Sequence, residues 1–325
     1  MIFFFLFLFS SIFCLVTVML LRVFSLKYNF LVKGTPLVGG LAVAAAFFIT
    51  SLFGSQFLKV QPQVMLGIFL SSLIMLGFGI IDDLREVSII TKLLMQVIAC
   101  AILAFFGIKT HIVYIGNMAN LFITFVWILG ITNAFNHLDV MDGVAVGTGA
   151  IVSLGFLWIA FLTGNTTTML LALALTGSLL GFFIINFPPA KVYLGNAGSH
   201  FLGFILAAGA MVISYAPLQR KIALLSPILM LGFPIFDTLF LIIMRLKQGR
   251  VIFKKSNDHF VLRLLRVYVS KRKSLFVTLV MALFFVLCAV ATSQATNLSG
   301  AGIIILAIFI SIYAYLRMSR VRVDG

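Results

Sequence analysis

Two amides and two carboxylates, Asn133, Asn136, Asp139 and Asp142, recur every three residues in the stretch NAFNHLDVMDGVAVG. On a helix that spacing puts them on roughly one face. Grouped oxygens of this kind can orient a polar ligand, hold a hard cation or accept a proton. The chain around them is so apolar that carboxylates need a reason, since ionisable groups at membrane depth read first as functional. The competing reading is a solvated loop between two apolar runs. A second pair, Asp82-Asp83, closes the run Gly77-Phe78-Gly79-Ile80-Ile81. Neighbouring carboxylates repel unless a cation lies near, and magnesium favours one or two carboxylates plus substrate phosphate oxygens. Lys92 and Gln96 follow on one helical face.

Four further stretches carry polar or special residues. Gly195, Ala197, Gly198 and Ser199 open an apolar run, and free N–H groups at a helix start make an anion site. A tight packing turn is the alternative. His200, next in line, reads as bonding a carbonyl rather than a ligand. Lys33-Gly34-Thr35-Pro36 with Gly39-Gly40 reads alone as an interfacial turn. Pro234 should break the apolar run that holds Gly232 and Asp237, opening a lateral groove for a lipid tail. The polar segment 245–273 carries ten basic residues besides Asp258-His259. Its Phe260, Leu264, Val267 and Tyr268 fit a short amphipathic helix at the membrane surface.

The elements that must position these residues are membrane helices. Mean hydropathy is +1.22 and 62% of the 325 residues are hydrophobic. Apolar runs of about 20 residues cross the hydrocarbon as helices. They fall at 2–21, 37–58, 64–81, 93–108, 119–136, 143–163, 167–187, 197–215, 222–244, 274–293 and 299–316, with 64–81 and 93–108 the short ones. The expectation is an all-α polytopic membrane protein of about eleven transmembrane helices, one broken near Pro234. A small external hairpin is expected at 109–118. The N-terminus lacks the basic flank of a cleavable signal.

With the C-terminus placed in the cytoplasm and the N-terminus outside, all but Lys59, Lys109, Arg220 and Lys221 of the 23 basic residues fall on the cytoplasmic side. This positive-inside asymmetry explains the net charge of +15 without nucleic acid, and makes the bilayer and phosphate-bearing substrates the natural partners. All eight acids, Asp82, Asp83, Glu86, Asp139, Asp142, Asp237, Asp258 and Asp324, then share that side. One domain, 1–325, would gather a single site from the loops 22–36, 82–92, 137–142, 188–196 and 245–273. Cys14, Cys100 and Cys288 lie in separate apolar runs, with neither disulfide nor zinc spacing. No pair of matching halves suggests a lipid-phosphate transporter built on inverted repeats.

Taken in order, these motifs resemble the polyprenyl-phosphate N-acetylhexosamine-1-phosphate transferases. That family includes enzymes that start O-antigen, enterobacterial common antigen and teichoic acid chains, and the phospho-MurNAc-pentapeptide translocase. The likeness runs through Lys33-Gly34-Thr35-Pro36, Gly79-Ile80-Ile81-Asp82-Asp83 with Lys92 and Gln96, and Asn133-Ala134-Phe135-Asn136 with Asp139 and Asp142-Gly143. It continues through Tyr193-Leu194-Gly195 with Gly198-Ser199, Pro234-Ile235-Phe236-Asp237-Thr238 and Asp258-His259. Eleven spans look more like the GlcNAc-1-phosphate branch than the ten-span translocase.

The resemblance implies a magnesium-dependent transferase of the bacterial plasma membrane, with manganese as an alternative ion. It would move a sugar-1-phosphate from a UDP-sugar to undecaprenyl phosphate and release UMP, alone or as a homodimer, starting a cell-envelope glycan such as lipopolysaccharide. By the same implication Asp82, Asp83, Asp139, Asp142 and His259 are catalytic, and Asp142 and Asn196 hold the metal. Lys33, Thr35, Lys92, Asn133, Asn136, Gly195, Gly198, Ser199, Asp237 and Asp258 bind substrate. Three departures stand out. The family's Gly-Asp-x-Gly-Ser reads Gly195-Asn196-Ala197-Gly198-Ser199, and that aspartate is a metal ligand in the family. Asp-Gly-x-Asp reads Asp139-Val140-Met141-Asp142, and His-x-His-His keeps only His259, with Val261 and Leu262 in the other places. The alternative reading is therefore a catalytically silent membrane scaffold.

Overall fold

A computed structural model describes all residues except Phe30, Lys33, Glu86, Ser214, 216–219, 251–257 and 322–325. Among the described residues there are thirteen α-helices: α1 (Ile2–Lys27), α2 (Gly39–Ser55), α3 (Pro62–Leu84), α4 (Ile89–Phe105), α5 (Asn117–Leu138), α6 (Val144–Thr163), α7 (Thr166–Asn186), α8 (Gly195–Val212), α9 (Ser226–Met230), α10 (Gly232–Lys247), α11 (Phe260–Tyr268), α12 (Lys271–Gln294) and α13 (Asn297–Met318). Eight are long and apolar enough to cross a membrane. The 3-10 turn Lys221–Leu225 with α9, together with α10, forms an apolar pair bent by 69° that counts as one more span when taken as a single broken helix. The apolar helices α2 and α4, 17 residues each, fall at two more of the eleven expected segments but are shorter than the eight.

The bend falls at Leu231, so Pro234 lies in the first turn of α10, where its missing N–H costs no hydrogen bond. The short spans are α2 and α4, not 64–81. There α3 runs for 23 residues, because Pro62 starts it early and the helix continues through Asp82-Asp83.

Burial is graded across the bundle: α6, α7 and α8 are its centre, whereas α1 and α13 are mostly exposed to their surroundings. α7 packs on α1, α2 and α6, and α8 on α3 and α5. Membrane helices gain little from burying apolar surface against lipid-like neighbours, so close approach through small residues does the work. A Cβ at Gly40 would overlap the backbone of Gly198, and one at Gly79 would lie 2.5 Å from the Cα of Ala197. The N-terminal end of α8 is thereby pinned between α2 and α3. All three cysteines are buried and free.

The hairpin expected at 109–118 does not form. Asn120 and Thr124, one turn apart on α5, supply the hydrogen-bond partners a second strand would have given: Asn120 Oδ1 accepts from Ile112 N (2.8 Å), its amide donates to Ile112 O (3.1 Å), and Thr124 Oγ1 accepts from Thr110 N (2.9 Å). The described strand pairing is instead Leu31–Val32 with Thr35–Pro36. The amphipathic helix of the 245–273 segment is α11, but Phe260, Val261 and Leu264 form its buried side. Val267 and Tyr268, expected on that side, are exposed because the helix ends at Tyr268 and the chain turns away at Val269 in a left-handed conformation.

Candidate active site

Several helix ends converge on one cavity of about 490 Å³. The last turn of α3 contributes Asp82 and Asp83, and the end of α5 contributes Asn136 and Asp139. Asp142 comes from the turn before α6, Asn186 from the end of α7, and Asn196 from the first turn of α8. Leu262 and Leu265 of α11 and Lys271 at the start of α12 close the wall. Two left-handed glycines make the turns: Gly143 (φ 78°) before α6 and Gly195 (φ 78°) at the start of α8.

The four carboxylates are held differently. Asp82 accepts from Lys92 Nζ (2.6 Å) and from Val87 N (3.1 Å). Asp83 accepts from Asn196 N (2.8 Å) and Ala197 N (2.9 Å), one N–H on each oxygen. The α8 N-terminus is indeed an anion site, but the anion it holds is the protein's own carboxylate. Asp142 Oδ2 accepts from Lys271 Nζ (3.0 Å) and Ala190 N (3.3 Å). For the Asp139 side chain no hydrogen bond or ion pair is found among the described residues. Burial first, then the charges of Asp83 and Asp142, push its pKa up to about 7.

The amides knit the site together. Asn136 Nδ2 donates to Asn196 Oδ1 (3.1 Å) and to Ser199 Oγ (3.0 Å), so these three expected site residues form one network. Asn186 bridges two turns, accepting from Gly143 N (2.9 Å) and donating to Val192 O (2.9 Å). Asn133 stands apart from the cavity, in a reciprocal amide pair with Gln96 (2.9 and 3.2 Å).

Other expected site residues support the cavity rather than line it. Thr35 sits in the short strand whose continuation is zipped to the 193–194 turn: Tyr193 N donates to Pro36 O, and Gly39 N and Gly40 N donate to Tyr193 O and Leu194 O. Gly198 is the packing partner of Gly40, and Lys92 is committed to Asp82. Lys33 lies outside the described residues. His200 bonds no carbonyl. Among the described residues both its ring nitrogens lack hydrogen-bond partners, and it packs on Phe78 (centroids 5.5 Å) with Nε2 4.0 Å from Asp82.

A second polar group lies under α11. Asp237 accepts from Phe260 N (3.0 Å) and contacts His259 Nδ1 (3.1 Å), and the His259 ring centroid is 6.3 Å from that of His137. Asp258 is buried among Arg263 Nη2 (3.1 Å), Arg250 Nη1 (3.0 Å) and Gln248 Nε2 (3.1 Å). Arg263 also donates to the carbonyls of Met318 and Val321, tying α11 to the end of α13. Neither Asp237, Asp258 nor His259 lines the cavity.

Sequence reasoning missed Asn186 and Lys271. Asn186 carried a signal as the polar end of an apolar run. Lys271 carried one as a cation in the first turn of a helix, where the dipole disfavours it.

A hard divalent cation fits the donor chemistry in one way only. Asp139 and Asp142 offer carboxylate oxygens to the cavity, and the pKa of Asp139, raised first by burial and then by the charges of Asp83 and Asp142, marks a carboxylate that a cation would stabilise in its charged form. Among the described residues no cluster of three His, Cys, Asp or Glu could hold a metal by itself. The fit is therefore to an ion completed by substrate oxygens, with Asn196 Oδ1, already bonded to Asn136, as a neutral third donor.

Residues 65–214, from α3 to α8, match the model for glycosyl transferase family 4. The chain is 32% identical over 295 residues to a probable undecaprenyl-phosphate N-acetylglucosaminyl 1-phosphate transferase of Bacillus subtilis, covering 87% of this chain and 80% of that one. It is 29% identical to a decaprenyl-phosphate N-acetylglucosaminephosphotransferase of Mycobacterium leprae (74% and 69% covered). It is 30% identical to a phospho-N-acetylmuramoyl-pentapeptide-transferase of Halalkalibacterium halodurans (70% and 74% covered). The matched segment supplies every carboxylate of the cavity, and on these likenesses the chain belongs to glycosyl transferase family 4.

Proposed function

We propose that this protein transfers an N-acetylhexosamine-1-phosphate from a UDP-sugar to undecaprenyl phosphate in a bacterial plasma membrane, releasing UMP. The observation that carries the reading is that Asp139, Asp142 and Asn196 line one cavity, at helix ends that small residues lock in place. An oxygen of the lipid phosphate forms the new bond to the sugar-bearing phosphorus of the donor, and the bond from that phosphorus to the oxygen of UMP breaks.

The lipid phosphate has a second pKa of about 6 and is largely ionised at neutral pH, so the nucleophile needs little activation. Bringing two anions together is the harder task, and electrostatic preorganisation dominates. Magnesium, or manganese in its place, would be held by Asp142, Asp139 and Asn196 and would supply charge neutralisation for the diphosphate. The oxygens of Asp82 and Asp83 are engaged within the protein, so they shape the site rather than take the residual proton of an acceptor that is already largely ionised. Asn136 orients Asn196, and Asp83 fixes the turn that presents it. The bent span at Leu231 supports a groove for the lipid tail, with the cavity on the cytoplasmic side.

The silent-scaffold reading has its own support in Asn196 and in the apolar Leu262 on the cavity wall. One assay separates the two. Purified protein with magnesium, undecaprenyl phosphate and a panel of UDP-sugars should release UMP with one N-acetylhexosamine donor. Absence of release with every donor, from protein that binds UDP, would establish the scaffold.

A further inference from the structure

Among the described residues that line the carboxylate cavity, Lys271 is the one cation. Its presence there is not explained by helix formation: α12 opens with Lys271, Arg272 and Lys273 and has no acid in its first turn, the reverse of what the helix dipole favours. The position is nevertheless fixed. Ser270 caps the helix by accepting from Lys273 N (3.4 Å), Arg272 Nε donates to Pro188 O (3.1 Å), and the Arg272 guanidinium lies 5.7 Å from the Phe187 ring centroid. The end of α12 is thus bolted to the turn after α7, and Lys271 projects from it to Asp142 (3.0 Å).

The two partners differ in freedom. The Asp142 side chain is 9% exposed and also held by Ala190 N, whereas that of Lys271 is 53% exposed. A half-exposed ammonium on a flexible stem makes a weak, readily exchanged bond. Leu262 and Leu265 also line the cavity, and among the described lining residues no other basic side chain is available to an incoming anion.

We propose that Lys271 is an exchangeable counter-ion: it neutralises Asp142 in the empty site and moves to the phosphates of a nucleoside diphosphate when a divalent cation takes its place on Asp142. The inference rests on the transferase reading and assigns this lysine to donor binding. It makes cation and nucleotide mutually reinforcing ligands, because each removes the obstacle to the other.

The test measures binding rather than turnover, with manganese as a paramagnetic probe and UDP as the nucleotide, on the full-length wild type, Lys271→Gln and Lys271→Arg. Lys271→Gln should bind manganese up to about fivefold more tightly without UDP, the scale of losing one half-exposed competing ion pair. At saturating manganese it should bind UDP about tenfold more weakly, the scale of one charge-assisted contact. Lys271→Arg should stay near wild type in both. Unchanged manganese affinity in Lys271→Gln, or unchanged UDP affinity, overturns the counter-ion assignment while leaving the transferase reading intact. Failure of the wild type to bind UDP at saturating manganese overturns that reading itself.

Discussion

Removing the Asp83 carboxylate should damage the protein before it damages any chemistry. Its two oxygens receive Asn196 N at 2.8 Å and Ala197 N at 2.9 Å, capping a buried helix start that no local side chain caps. A hydrogen bond to a charged group contributes about 1.5–3 kcal/mol, and a buried N–H left without a partner costs about 1–3 kcal/mol. Asp83→Asn keeps one acceptor oxygen but turns an amide N–H toward the other donor, so roughly 2 kcal/mol should be lost. Asp83→Ala removes both acceptors and should cost about 3–4 kcal/mol, less than a simple sum because the turn relaxes. The assay is thermal unfolding in one detergent together with amide hydrogen exchange over residues 193–200. The expected order of stability is wild type, then Asp83→Asn, then Asp83→Ala, with faster exchange at Asn196 and Ala197 in both variants. Wild-type melting and wild-type exchange in Asp83→Ala would refute the capping role and return Asp83 to the substrate.

Asn196→Asp should keep the bond from Asn136, since a carboxylate accepts from the same amide, and should raise UMP release at least about tenfold, which asks about 1.4 kcal/mol of the transition state. Comparison of the two forms under equal magnesium checks it. Arg263→Met leaves Asp258 buried with part of its partners gone and frees two carbonyls at the end of α13, so stability should fall by about 3–5 kcal/mol, with partial recovery in the Asp258→Asn double variant, read by thermal unfolding. Gly40→Ala forces a Cβ onto the Gly198 backbone and should cost about 1–3 kcal/mol by the same measurement. Sidedness is tested by impermeant thiol labelling, because the native cysteines are all buried. A cysteine at Lys273 should react only once the cytoplasmic face is opened, and one at Leu298 from outside.

Much of this was legible because membrane helices write themselves in hydropathy. The eleven apolar segments and the break beside Pro234 needed only length and proline chemistry. The gathering of Asp82, Asp83, Asp139 and Asp142 in one cavity was expected from a charge asymmetry that assigned every acid to one side of the membrane. What the sequence could not disclose was which polar group answers which. Asp83 and Asp142 are both aspartates at helix boundaries, yet one is spent on two backbone N–H groups and the other on a lysine 129 positions away. Asn133 and Asn136 share a helix face by spacing, but Gln96 claims the first and Asn196 the second. The 109–118 segment has the β-branched residues of a hairpin, and Asn120, outside it, outcompetes strand pairing.

The central claim is that the carboxylate cavity carries out phosphoryl transfer between a nucleotide sugar and a lipid phosphate. Its most direct test follows the phosphorus atom, using a UDP-N-acetylhexosamine labelled in the sugar-bearing phosphate, with undecaprenyl phosphate and magnesium. The account predicts label in the lipid product, unlabelled UMP, and loss of both in Asp142→Asn of unchanged folded yield. Label retained in the nucleotide, or wild-type transfer by Asp142→Asn, would contradict it.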